Sequence, residues 1–211
     1  MNMDPSICAI ILAAGTSSRM GRSKQLLLLN NKPLLEHVIQ KSLAAPFSEV
    51  VTVIGSEAEQ IKKKITIDDE RFQWIVNENY SCGQSYSLKA GISYVGSKHD
   101  GIMIFLGDLP SLSDATIKSV FNAGVSTLKK CKDSFIIQPS YFGEMGHPVF
   151  FGHFNRELIM KIKGDTGAKK IIKEIPHHIQ LDVEDEGILF DIDTPEAYKR
   201  AKQYLNSKRS G

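Results

Sequence analysis

Apolar positions along this chain follow two alternating periods. Short, nearly continuous apolar runs occupy Ile7–Ala13, Val50–Ile54, Trp74–Val76, Ile102–Leu106 and Phe135–Gln138, the pattern of strands covered on both faces. Between them the spacing lengthens to that of a helix. Leu35, Val38 and Ile39 share one helical face, as do Leu88, Ile92 and Val95, and Ile117, Val120, Phe121 and Leu128 extend the pattern in a longer helix. Ser56-x-x-Glu59 and Ser81-x-x-Gln84 have the spacing of capping boxes and are expected to open two helices. A Val149–Phe151 run reads as a further strand. The alternating run Ile188–Ile192 is expected as the last strand, with Thr194-Pro195 as the cap and first turn of a final helix. This alternation predicts an α/β fold of three layers, Rossmann-like, with a mostly parallel central sheet flanked by helices and joined by right-handed crossovers. The rhythm breaks from Tyr141 to Leu181, where glycines stand at 143, 146, 152, 164 and 167. That stretch, 141–181, is expected as an insertion or lid within one domain spanning 1–211.

Composition narrows the function classes. The 211 residues carry a net charge of +2, too near neutral for the electrostatic footprint of a nucleic-acid binder. The run Lys62-Lys63-Lys64 reads as a solvated helix end. The longest apolar runs fall well short of the roughly 18–20 residues that span a bilayer, so no membrane partner is expected. MNMDPS has an acid and no base before its apolar run, unlike a secretory signal. Cys8, Cys82 and Cys131 are odd in number and widely spaced, which argues against a disulfide framework and a structural zinc site; a reducing cytoplasm is the expected home.

In parallel α/β sheets ligands collect beyond the carboxyl ends of strands, which directs attention to three segments. The first is LAAGTSSRMGRSK, Leu12–Lys24. It is neither a Walker A loop, because five residues separate Gly15 from Gly21, nor a G-x-G-x-x-G turn. Its small residues still let backbone N–H groups approach phosphate oxygens, Ser17 and Ser18 add hydroxyls, and Arg19 and Lys24 add positive charge. A plain βα loop with two surface bases is the competing reading. The second is Gly107-Asp108, where the following helix is delayed by Pro110. The third is Asp193, with Asp191 two residues before it on the expected strand face. Two carboxylates from strand ends can share a Mg²⁺ ion, which prefers hard oxygen ligands.

These residues belong to a longer series: Leu12–Lys24, Leu26–Leu29 with Lys32-Pro33-Leu34, Gly83–Gly91, Leu106–Pro110, Gly146-His147-Pro148, Gly164-Asp165-Thr166-Gly167-Ala168 and Asp191–Glu196. In order and over nearly the whole chain, the series resembles the molybdopterin nucleotidyltransferases, and more narrowly their molybdenum cofactor cytidylyltransferase branch. Purine-catabolism accessory proteins that mature xanthine dehydrogenase are in the same branch. The resemblance implies transfer of CMP from CTP to the molybdopterin-bound cofactor, with release of pyrophosphate, Mg²⁺ as cofactor and a molybdoenzyme as client. It implies that Arg19 holds the β- and γ-phosphates and that Lys24 sits near the α-phosphate. Leu12, Ala13, Ala14, Gly15, Thr16, Ser17 and Ser18 are the implied nucleotide contacts, with Asp108 and Asp193 on the metal and Asp191 as outer acid or substitute ligand.

Ser87 matches the position that reads the cytosine edge, while Gln84 and Ser85 are either nucleotide contacts or N-terminal helix donors. The guanylyl-transferring branch starts Leu-Ala-Gly-Gly where this chain has Leu-Ala-Ala-Gly, and the Ala14 methyl would crowd a purine; this favours CTP. On the acceptor side, within 141–181, the candidates are His147 and the helix-opening Asp165, Thr166 and Gly167, whose N–H groups suit an anion. Structural roles explain these four about as well. A sugar phosphate or methylerythritol phosphate acceptor, and a non-catalytic cofactor carrier, are the alternative functions.

Overall fold

The computed structural model describes residues 4–15, 23–155, 157, 160 and 174–207. The main sheet is built from β1 (Ile7–Ala13), β4 (Glu49–Ile54), β5 (Phe72–Val76), β6 (Gly101–Leu106), β7 (Phe135–Tyr141), β9 (Val149–Gly152) and β10 (His177–Asp182). Their order is β10-β7-β9-β6-β1-β4-β5, which sets β1 inside the sheet. The neighbours β1–β4, β1–β6, β4–β5 and β7–β10 run parallel, and β9 runs antiparallel between β6 and β7. A short β8 (Glu144–Met145) pairs with β7, and β2 (Leu28–Leu29) with β3 (Lys32–Pro33) forms a separate two-stranded ribbon.

The period-two alternation of β1 divides the core. Ile7, Ala9, Ile11 and Ala13 face one side, where helices α1 (Leu34–Ala44), α2 (Ala58–Lys64) and α4 (Asp114–Leu128) bury Leu35, Val38, Ile39, Ile61, Ile117, Val120 and Phe121. Cys8, Ile10 and Ala14 face the other side, with Leu88, Ile92 and Val95 of α3 (Gln84–Val95). All the expected helical faces are buried as patterned, and the expected mostly parallel, helix-flanked sheet is present. Gly91 lets α3 approach closely, since a Cβ there would lie 2.7 Å from Ile10 Cγ2.

Three local expectations fail. Ile188–Ile192 is no strand: Glu186–Ile188 form a 3₁₀ turn, and the last strand is β10, which begins at His177-His178. Neither capping box forms. α2 starts after Glu57, whose φ is 60°, and Ser81 lies in a separate 3₁₀ turn before Gly83. Neither helix carries a side-chain cap. Thr194 does cap α5 (Pro195–Ser207), accepting from the Ala197 N–H at 3.1 Å. Within 141–181, β9 runs inside the sheet and β10 forms its edge, while 161–173 lie outside the described residues. Among the described residues no helix is long and apolar enough to cross a membrane.

Candidate active site

The carboxyl ends of β1 and β6 meet because Gly107 has no side chain. A Cβ on it would lie 2.8 Å from Ala13 Cβ and 2.9 Å from Leu35 Cδ1. Its N–H donates to the Leu12 carbonyl at 2.9 Å. This contact sets Asp108, the next residue, beside the exit of β1. Ile192 N–H in turn donates to the Asp108 carbonyl at 3.0 Å, so the chain leading to Asp193 is pinned against Asp108 although it is not a strand. The turn before it is fixed from two sides. A Cβ on Gly146 would meet the Ile188 carbonyl at 2.5 Å, and one on Gly187 the Ser111 carbonyl at 2.5 Å.

Lys24 joins the two acids. Its ammonium donates to Asp108 Oδ2 at 2.6 Å and to Asp193 Oδ1. Burial alone would depress this lysine, but the charges and hydrogen bonds of Asp108 and Asp193 outweigh burial and hold it above the ordinary lysine range. Lys24 is therefore a cation at neutral pH. The side chains of Asp108, Asp191 and Asp193 offer oxygens within 4.8 Å of one another. Burial raises the Asp191 carboxyl above its ordinary value, and its hydrogen bond to Asp193 and the charges of Asp193 and Asp108 raise it further. Asp108 Oδ1 is buried with no hydrogen-bond partner among the described residues. Three crowded carboxylates, one with a lone oxygen, form a donor set suited to a hard divalent cation.

The acids stand at one end of a cleft of about 380 Å³. It is lined by Leu12–Gly15 and Gln25 on the β1 side, by Tyr80 and Ser81 of the 3₁₀ turn, Gly83, and Gln84 and Ser87 at the start of α3, and by Lys24, Leu106, Gly107, Asp108 and Asp193 at the base. Asn77 Nδ2 donates to Ser87 Oγ at 3.1 Å, and Asn77 Oδ1 accepts from Asn79 N–H at 3.0 Å, so the serine hydroxyl is oriented from beneath.

The structure brings together Leu12, Ala13, Ala14, Gly15, Lys24, Gln84, Ser87, Asp108 and Asp193 from the sequence-derived candidates. It leaves Ser85 fully buried outside the cleft wall. His147 is also outside the wall. Its N–H donates to the Ile188 carbonyl at 3.1 Å, its ring lies 3.5 Å from the Ile104 carbonyl, and burial lowers its affinity for a proton. Thr16, Ser17, Ser18, Arg19, Asp165, Thr166 and Gly167 lie outside the described residues. Gln25 and Tyr80 line the cleft and Asn77 supports it, none of them marked by a motif in the sequence. Gln25 follows Lys24 directly, and its buried amide donates to the Ala13 and Gly15 carbonyls at 2.8 and 3.1 Å. A polar residue set between Lys24 and the apolar Leu26–Leu29 was its one visible signal.

A family model described as MobA-like NTP transferase domain matches residues 9–180. The purine catabolism protein PucB of Bacillus subtilis (strain 168) is 27% identical over 210 residues, covering 96% of this chain and 98% of its own length. Nicotine blue oxidoreductase of Paenarthrobacter nicotinovorans is 28% identical over 200 residues, covering 93% and 96%. Molybdenum cofactor cytidylyltransferase of Escherichia coli (strain K12) is 25% identical over 198 residues, covering 94% and 96%. Among solved structures, Rv0371c from Mycobacterium tuberculosis H37Rv superposes with a TM-score of 0.78 at 24% identity, covering 95% of this chain and 99% of that one. A complex of Rv0371C with manganese superposes with a TM-score of 0.73 at 22% identity, covering 94% and 98%. These two show a shared fold. With 9–180 matched, the chain belongs to the MobA-like NTP transferase family of nucleotidyltransferases.

Proposed function

We propose that this protein transfers CMP from CTP to the terminal phosphate of the molybdopterin-bound molybdenum cofactor and releases pyrophosphate. The observation that carries the reading is the meeting of Lys24, Asp108 and Asp193 at the base of a cleft walled by Leu12–Gly15 and the start of α3. An oxygen of the acceptor phosphate attacks the α-phosphorus of CTP. The bond from that phosphorus to the bridging oxygen breaks, and pyrophosphate leaves with the electron pair. The acceptor phosphate is already ionised at neutral pH, so no side-chain nucleophile or base is needed.

Asp108 and Asp193 would hold Mg²⁺, with Asp191 beside them. Bound there, the ion would supply charge neutralisation for the reacting phosphates. The chain's own part is positioning and electrostatics. Lys24 places a positive charge in the cleft, and the family resemblance assigns a second to Arg19, which lies outside the described residues. Ser87, oriented by Asn77, offers its hydroxyl to the cytosine edge. Ala14 lines the base side of the cleft. The similarity to the E. coli cytidylyltransferase over 94% of this chain supports the cytidylyl assignment and the molybdenum cofactor as acceptor, and that to PucB supports a purine-catabolism client. A cytoplasmic setting fits Cys8, Cys82 and Cys131, which are not joined in disulfides.

The test is pyrophosphate release with CTP, GTP and ATP in turn, with and without molybdenum cofactor and Mg²⁺. Release with CTP that requires both cofactor and Mg²⁺ is expected, and Asp108→Ala should reduce it by at least a hundredfold while the protein stays folded. Equal use of GTP would overturn the cytidylyl assignment. Activity with a sugar phosphate alone would replace the acceptor, and cofactor binding without turnover would make the protein a carrier.

A further inference from the structure

The amino edge of the sheet, opposite the cleft, holds a second cluster of metal-ligating side chains. Cys8 near the start of β1 stands beside Glu49, the first residue of β4, in the parallel register. On the other side of β1, Cys8 pairs with Ile102 of β6, and His99 lies two residues before that strand begins. Backbone clamps hold the His99 loop to β1: the Ser6 N–H donates to Asp100 Oδ2 at 2.8 Å, and the Asp100 N–H to the Ser6 carbonyl at 2.8 Å. Two strands and a loop that are distant in sequence thus deliver a thiol, a carboxylate and an imidazole whose ligand atoms lie within 4.8 Å of one another.

We propose that Cys8, Glu49 and His99 form a binding site for a zinc-class divalent cation, separate from the transfer cleft. The donor set of sulfur, nitrogen and oxygen is the one that zinc, cobalt and cadmium select over magnesium. Zinc bonds of about 2.0–2.3 Å in a tetrahedral site place ligand atoms roughly 3.3–3.8 Å apart, so the cluster needs to close on a cation by no more than about 1–1.5 Å. His99 Nε2 already lies 3.0 Å from Glu49 Oε2.

The partners that orient ligands are also present. The Ser6 hydroxyl lies 2.7 Å from His99 Nδ1, which fixes the ring with Nε2 directed at the site, as in metal-bound histidines. Tyr94 stands near Glu49: burial, and then the carboxylate's charge, raise its phenol above the ordinary range. The His99 side chain is 7% exposed, that of Glu49 is 18%, and Cys8 is fully buried. The Cys8 thiol's contact with its neighbouring Ala9 carbonyl is long, at 3.5 Å. Burial and the nearby Glu49 keep that thiol protonated, with Lys98 acting the other way. Cation binding therefore releases the Cys8 proton and strengthens as pH rises. A bound ion would tie β4, β1 and the loop before β6 together, a structural role that does not depend on the transfer reaction.

Cobalt(II) titrated into the full chain tests this through thiolate-to-cobalt charge-transfer absorption, and zinc through the thermal midpoint. One cobalt per chain with charge-transfer absorption, and a zinc-induced rise in Tm of about 5 °C or more, are expected. Both should persist in Asp108→Asn/Asp193→Asn and in Cys131→Ser, and both should be lost in Cys8→Ala and His99→Gln. Each variant is compared with its own metal-free Tm. Should Cys8→Ala fail to fold, Glu49→Gln together with His99→Gln carries the test. Absence of the absorption, its survival in His99→Gln, or its loss in Cys131→Ser, which would move it to the Cys131–Asp133–His177 cluster, overturns the proposal.

Discussion

Gln25 sits beside Lys24 in a three-residue 3₁₀ turn, and its amide holds the carbonyls of Ala13 and Gly15, which flank Ala14. A loop that receives a triphosphate needs donors facing the anion, and Gln25 keeps two acceptors engaged elsewhere. Gln25→Ala removes both of these hydrogen bonds, with an expected loss of about 1–3 kcal/mol in urea denaturation and a raised KM for nucleotide. Ala14 itself is only 3% exposed, so its methyl offers the cleft little surface. Ala14→Gly should therefore raise GTP use relative to CTP by less than about 10-fold, below the usual effect of a fully presented carbon. A competition assay with both nucleotides measures that ratio. Lys24, Asp108 and Asp193 were legible as residue types following apolar runs. Gln25 and Asn77 were not, because nothing local marks a buried amide whose partners lie on another segment.

At the scale of elements, short helices and turns deliver the acids. Asp185 ties α4 to the turn that precedes Asp191: it accepts from Ser113 N–H at 2.9 Å, from the Thr116 hydroxyl at 2.7 Å and from Gly187 N–H at 3.0 Å. Burial opposes its ionisation, but these donors outweigh burial and hold its carboxyl below the ordinary range. A depressed folded value means that its stabilisation is present above the unfolded value near 3.9 and is lost as pH falls through the folded one. Asp185→Asn should thus cost about 1–2 kcal/mol at pH 7, and the gap from the parent should narrow on acidification below that value. Urea titrations at pH 7 and pH 3 compare the two. The two capping-box spacings misled because a spacing names possible partners without the chain direction that lets them meet. At Ser56 the chain enters α2 through the left-handed Glu57, and at Ser81 a separate 3₁₀ turn intervenes.

At the scale of the molecule, β1 carries the transfer cleft at its carboxyl end and the Cys8 cluster at its amino end, with a fully buried strand between them. Ligand at the cleft should stabilise the whole domain. CTP with Mg²⁺ at about 100 times Kd is worth about 2.7 kcal/mol, or a Tm rise of about 5–10 °C for a chain of this size. Calorimetry should show that rise in the parent and its absence in Asp108→Asn. The helix faces, the parallel strands of the sheet and the exits of β1 and β6, after which Lys24 and Asp108 follow, were determined by sequence alone, because apolar periodicity reports burial within one element. The identity of the last strand was not. Ile188–Ile192 alternates like a strand because the turn it forms is packed on one side by Gly146, while β10 is a largely polar edge that finds its place only by pairing with β7. Tertiary structure likewise decided how Asp193 reaches Asp108 and how Cys8, Glu49 and His99 come together. Both depend on strand order across the sheet, with β1 set between β4 and β6, and that order arises from packing among segments far apart in the chain.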